Sequence, residues 1–268
     1  MNGNLVTKRM SIVPTMRCTL RCKLCSNHMP AFADPVDATS DEMIRDIDSL
    51  FAIFDRIEWL QFVGGEILLH NGMAKIYEYC IKYRKRFDKL ILETNATLLF
   101  RDKELAILKE YGESANVMIS DYGKMSLRRD DTIKVLSEYG IPFVLKKYHS
   151  ENQHFGGWVD NTKRKNLNEK EAIIIKKFTN CPQMRLENMH CYSGELHMCP
   201  NSLFLSQLNL FKPESRDFVT LTDASTSMEQ KRQIIRDFYN HPPKACHFCM
   251  WKYADTMPRY PAAEQISQ

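Results

Sequence analysis

Between about residue 10 and residue 147 the chain alternates short apolar runs with amphipathic stretches, and this alternation restricts the possible folds more than any other feature. Runs of strand length fall at 11–16, 59–63, 90–93, 116–120 and 142–145, and the last four recur roughly every 25 to 30 residues. That spacing leaves room for one crossover helix between strands, which parallel pairing requires. The intervening stretches carry helix punctuation. Thr39 and Glu42 form a capping box ahead of an apolar stripe of Met43, Ile47, Leu50, Phe51 and Phe54. Gly112 and Gly140 each close a helical pattern just before a strand. The expected class is α/β, a partial (β/α)6 TIM-type barrel.

After residue 147 the rhythm breaks. Residues 150–170 are polar and include Gly156-Gly157, and the apolar run 172–178 leads into a second group of cysteines. The expected units are therefore 1–165, the barrel, and 166–268, a small α+β subdomain. In the second unit a hairpin should turn at Ser193-Gly194, a helix should cover 228–239, and a cysteine-rich loop should follow. At 268 residues and 44% hydrophobic content the chain can bury a large core plus a small appendage. No apolar run approaches the roughly 18 to 20 residues of a membrane span, and Met1-Asn2-Gly3-Asn4 lacks the apolar core of a signal peptide. The expectation is a cytoplasmic protein with no membrane partner.

The chain has nine cysteines, and six of them, Cys18, Cys22, Cys25, Cys199, Cys246 and Cys249, lie in close groups or directly before a proline. In a reducing compartment such grouping reads as metal ligation rather than disulfide bonding. The run Cys18-Thr-Leu-Arg-Cys22-Lys-Leu-Cys25 follows the first strand, at the end of the barrel where active sites are built. Three thiolates on a four-iron cubane leave one iron open, as a catalytic centre needs. The formal charge of +4 says little about nucleic acid. A [4Fe-4S] core adds about −1 with three thiolates and about −2 with four, so a chain holding one of each is near neutral.

A CxxxCxxC loop after strand one resembles the radical S-adenosylmethionine (SAM) superfamily. The resemblance implies that Cys18, Cys22 and Cys25 hold a [4Fe-4S] cluster whose open iron chelates SAM, and that SAM is cleaved to a 5′-deoxyadenosyl radical. Leu24 stands where an aromatic residue usually precedes the third cysteine and packs near adenine. Gly64-Gly65-Glu66, ending the second strand, resembles the superfamily's GGE, whose backbone and carboxylate meet the SAM amino group. Thr94-Asn95 and Ser120-Asp121, after strands three and four, resemble positions that hold the SAM ribose and carboxylate, although polar residues at strand ends are also ordinary turn formers.

Cys181, Cys199, Cys246 and Cys249 look like the auxiliary-cluster ligands of the twitch subdomain, a short relative of the SPASM extension, which implies a second [4Fe-4S] cluster per chain. Cys80 reads as a helix core residue. Cys191 is the extra thiol: a bystander, an alternative ligand, or a hydrogen-atom donor like the critical cysteine of radical SAM epimerases. The arrangement resembles that of the twitch-bearing alcohol dehydrogenases. It implies hydrogen abstraction from a sugar- or polyol-like alcohol, loss of the hydroxyl proton and electron transfer to the auxiliary cluster. Arg164, in Lys163-Arg164-Lys165, is a candidate for the base or else part of a solvated charge run, since arginine is a poor base. Tyr122, Tyr148, Phe155 and Trp158 are candidates to line the pocket. A reductase or flavodoxin-type electron donor is implied, and no nucleic-acid partner. A radical epimerase or dehydratase, a peptide maturase, a structural zinc protein completed by Cys246 and Cys249, and an Fe–S electron carrier are the alternatives.

Overall fold

Apolar side chains recur at alternate positions of successive strands, and this recurrence organises the sheet. The computed structural model describes residues 3–250 and 257–266. Five β/α repeats open the chain: β1 (Val6–Ile12), α1 (Ser40–Ile53), β2 (Arg56–Phe62), α2 (Met73–Cys80), β3 (Phe87–Thr94), α3 (Asp102–Tyr111), β4 (Ala115–Asp121), α4 (Arg129–Tyr139) and β5 (Phe143–Lys147). These strands are parallel in the order β5-β4-β3-β2-β1. The register Ile12–Phe62–Leu92–Val117 puts four buried side chains on one face, in a single core with Ile47, Leu50 and Phe51 of α1 and Ile76 and Tyr77 of α2. The opposite, concave face carries Arg9, Ser11, Trp59, Gln61, Glu93 and Lys146. Ile91 and Met118 share this face, so it mixes polar and apolar side chains.

The capping box forms as expected: Glu42 N–H donates to Thr39 Oγ1 at 3.2 Å and Thr39 N–H to Glu42 Oε2 at 2.7 Å. All five residues of the α1 stripe are buried. Gly140 ends α4 at φ 67°, in the left-handed region, whereas Gly112 ends α3 at φ 55° and ψ −135°. The first strand runs earlier than the expected 11–16. It starts within Val6-Thr7-Lys8-Arg9, whose charged residues mask it, and it stops before Pro14, which has no N–H to continue a central ladder.

Residues 148–170 contain no strand, and α5 (Glu171–Thr179) and the short α6 (Pro182–Arg185) follow. β6 (Asn188–Tyr192) then adds parallel to the free side of β1, pairing Ile12 with Cys191. The sixth parallel strand thus lies beside β1 and not beyond β5. It turns at Ser193-Gly194, both at positive φ (49° and 80°), into β7 (Glu195–His197), and β8 (Phe218–Thr220) completes an eight-stranded sheet. α7 (Pro200–Gln207) lies between β7 and β8, and α8 (Met228–Asp237) opens with a capping box of Ser227 and Gln230. Among the described residues no helix is long and apolar enough to cross a membrane.

Candidate active site

The first cysteine loop is clamped before it reaches its first thiol. Gly65 N–H donates to Thr15 O at 3.0 Å and Glu66 N–H to Arg17 O at 2.9 Å. A Cβ at Gly65 would lie 1.8 Å from the Arg17 carbonyl oxygen, so only glycine lets the two backbones pass. Asn27, past the last cysteine, donates to Gly64 O at 2.9 Å, while Arg17 pairs with Asp37 and donates to Leu69 O at 3.0 Å. Within the loop the sulfurs accept hydrogen bonds. Cys18 Sγ takes the Leu20 N–H at 3.5 Å and the Asn95 amide at 3.6 Å, and Cys22 Sγ takes the Gln265 amide at 3.4 Å.

Glu66 is fully buried, and both its carboxylate oxygens are engaged: Oε1 with Thr94 Oγ1 at 2.9 Å and Leu68 N–H at 3.2 Å, Oε2 with Asn95 N–H at 2.8 Å. Burial pushes its pKa up to about 7. The carboxylate also braces the barrel end. Glu66 ties the end of β2 to the end of β3, and Asn95 hands the tie on to Cys18 and to Thr19 at 3.1 Å. Gly64, Gly65, Glu66, Thr94 and Asn95 are therefore brought together around the cysteine loop.

Asp121 ends β4 with its carboxylate engaged: it accepts from Gly123 N–H at 2.9 Å and His149 Nε2 at 3.1 Å, and it pairs with Arg129. Burial opposes its ionisation, but these donors hold its pKa below the usual value. Ser120, beside it, offers its carbonyl to Ser126 Oγ at 3.1 Å. The rings near the cysteine loop are not at position 24, where Leu24 is buried. They are Tyr122 and Trp158, edge to face at 5.6 Å, which pack with Leu20 and Cys22. Tyr148 joins them at 5.4 Å from Tyr122, with His154 at 5.4 Å from Tyr148. Phe155 is 74% exposed and stands outside this shelf.

Arg164 is half-buried, and its Nε donates to His28 Nδ1 at 3.4 Å. His28 Nε2 in turn donates to Asn201 Oδ1 at 3.3 Å, and Asn161 donates to the same oxygen at 3.1 Å. Burial lowers the His28 pKa to about 4, so the ring is neutral with its proton on Nε2. Arg164 is thus placed as a hydrogen-bond donor to His28. The chain of contacts runs from just past Cys25 to just past Cys199. Sequence patterns do not reveal it, because neither His28 nor Asn201 lies in a motif.

Several thiols act electrostatically on one another. Cys18 and Cys22 each feel Cys25, and Cys22 also feels Cys18; Cys199 feels Cys181 and Cys249, and Cys246 feels all three of the others. Burial pushes Cys18 up to about 11 and Cys22 up to about 12. Cys199 Sγ also accepts from Ser202 N–H at 3.3 Å. Among the described residues no group of three His, Cys, Asp or Glu side chains is arranged to hold a single metal ion. The Cys18 and Cys22 sulfurs, which accept N–H bonds beside Cys25, are a donor set that suits an iron–sulfur cubane. Cys191 is not among these thiols. It is fully buried on the helix side of β6, where its thiol bonds to Asp46 of α1. This placement is that of a buried core thiol, on the same face of the sheet as Ile12.

The fold is a partial β/α barrel whose first loop presents three thiols at the C-terminal end of β1. The chain belongs to the radical SAM superfamily: the model of that family matches residues 12–145, half of the chain. It is similar to GTP 3',8-cyclase of Campylobacter jejuni subsp. jejuni, 28% identical over 197 residues, which cover 68% of this chain and 57% of the relative. The chain thus spans little more than half the length of the curated relatives it matches. In fold it is similar to BtrN in complex with AdoMet and 2-DOIA (TM-score 0.57, 14% identity, 94% of this chain and 90% of that one). It is also similar to native anSMEcpe with bound AdoMet (TM-score 0.50, 12% identity, 91% and 84%).

Proposed function

We propose that the chain is a radical SAM oxidoreductase that oxidises an alcohol of a small polar, sugar- or polyol-like molecule. In this reading Cys18, Cys22 and Cys25 hold the SAM-cleaving [4Fe-4S] cluster. Cys181, Cys199, Cys246 and Cys249 hold a second one in a twitch-like unit. What supports the reading is Cys18, Cys22 and Cys25 together on the loop after β1, with Cys181, Cys199 and Cys249 all near enough to Cys246 to act on its thiol. When bound, cluster and SAM supply the hydrogen-abstracting radical, and the second cluster accepts an electron.

The residues of the chain do the rest. Gly64, Gly65 and Asn95 hold the ligand loop, while Tyr122 and Trp158 wall it where Leu24 offers no ring. The concave face below holds Glu93, 3.5 Å from Lys146 Nζ, and Arg9, whose guanidinium lies 4.3 Å over Trp59. Glu93 is the proton acceptor in this reading, and Arg164 anchors the substrate as a cation. The full-length likeness to a fold that holds AdoMet with a small molecule supports a pocket of that scale. The burial of Cys191 on the helix side of β6 favours oxidation over epimerisation in this reading.

Anaerobic reconstitution tests the reading. The expected result is about eight irons per chain, falling to about four in Cys181→Ala/Cys199→Ala, with 5′-deoxyadenosine formed from SAM under dithionite. A panel of C-deuterated polyols should transfer deuterium into 5′-deoxyadenosine. Glu93→Gln should keep SAM cleavage but lose the ketone. Zinc in place of iron, or no 5′-deoxyadenosine, overturns the radical reading, and deuterium transfer only from peptides would move the substrate class to maturation.

A further inference from the structure

Residues 258–266 return to the first cysteine loop and lie along it. Cys22 and Gln265 pair as an antiparallel bridge, Lys23 N–H donates to Glu264 O at 2.7 Å, and Ile266 N–H donates to Arg21 O at 2.9 Å. The Gln265 side chain adds contacts of opposite polarity. Its Oε1 accepts from Arg21 N–H at 2.7 Å, while its Nε2 donates to Ala263 O at 2.7 Å and to Cys22 Sγ at 3.4 Å. These partners set the orientation of the amide, since a backbone N–H requires the oxygen and a carbonyl requires the nitrogen.

The same segment holds the aromatic shelf. Trp158 and Tyr260 exchange both backbone hydrogen bonds, at 2.9 and 2.8 Å. Gly157, at φ +114°, makes the approach possible: a Cβ there would lie 2.7 Å from Tyr260 O. Ala263 is buried against Leu20 and Cys22, with Tyr122, Met125 and Trp158 packed around them.

We propose that Gln265 is a positioning residue of the SAM-cleaving centre: its carboxamide, carried on the 258–266 strap, donates to the Cys22 sulfur and raises the reduction potential of the cluster. This rests on the reading that Cys18, Cys22 and Cys25 hold that cluster. A hydrogen bond to a ligand sulfur withdraws electron density and favours the reduced state, which is the state that gives an electron to SAM. Leu20 N–H and Asn95 serve Cys18 from the barrel side, and Gln265 serves Cys22 from the strap side.

The test is an EPR-monitored redox titration of the reconstituted full chain, following the signal that changes on adding SAM. Gln265→Ala and Gln265→Glu should keep wild-type iron and shift that midpoint to more negative potential, the carboxylate further than alanine. Glu264→Ala, which removes only the 3.5 Å ion pair with Lys23 and keeps the strap backbone, should leave it unmoved. If Gln265→Ala loses iron, Gln265→Glu, of nearly the same volume, decides. An unmoved midpoint in Gln265→Glu, an equal shift in Glu264→Ala, or loss of iron from both Gln265 variants would overturn the proposal in favour of a merely structural strap. If the wild type gives no SAM-responsive signal, it is the functional reading that fails.

Discussion

Cys191 and Asp46 meet between β6 and α1, where the carboxyl also accepts the Gly194 N–H at 3.2 Å. Replacing Cys191 with alanine should leave SAM cleavage and product unchanged while lowering stability by about 1–2 kcal/mol, as removal of a buried sulfur does. Denaturant unfolding and product analysis of the variant check both halves. Burial pushes the Asp46 pKa from 3.8 up to about 6. A carboxyl with its folded pKa above its unfolded one binds its proton more tightly when folded. Its contribution is therefore full below about pH 4 and lost as pH rises through about 6. Asp46→Asn should match wild type in stability near pH 4 and exceed it by on the order of 2 kcal/mol at pH 7. Unfolding curves for the pair at those two pH values check the sign, and equal gaps at both would contradict it. The sequence shows Cys191 as a thiol between two other cysteines; only the strand register shows which face it is on.

At the level of elements, the β/α repeats and their caps were legible because each signal is local. Thr39 and Glu42 sit three residues apart, and the Ser193-Gly194 turn needs only two residues. The first strand was misplaced because its concave-face side chains, Arg9 among them, are polar, and because the apolar run after it belongs to a loop. The loop itself is held by a strand far along the chain. Gly65→Ala should force the end of β2 away from Arg17 and release the first cysteine loop, costing the protein roughly half of its reconstituted iron. Iron and sulfide analysis checks this, with Gly3→Ala as the control, since nothing lies within 4 Å of a Cβ there and its backbone is unstrained for alanine. Retention of all iron in Gly65→Ala would show that the loop does not depend on the close passage.

Over the whole molecule one sheet runs from β5 to β8, with β6 hydrogen-bonded to β1, so the cysteine-rich second unit shares its core with the barrel. The reconstituted protein should therefore unfold in a single calorimetric transition, and Cys181→Ala/Cys199→Ala should lower that whole transition rather than split off an early one. Two separate endotherms would mean independent units. By itself the sequence determined the alternation that makes a parallel sheet, the three thiols on one loop and the glycines that end β2. These depend on residues close together in the chain, where spacing already implies geometry. The tertiary structure alone decided that β6 joins at β1, that Cys191 faces α1, that Tyr122 and Trp158 pack beside Leu20 and Cys22, and that Gln265 reaches Cys22. Each of these joins residues far apart in sequence. Their meeting depends on sheet order and on the paths of connections, which no local periodicity encodes.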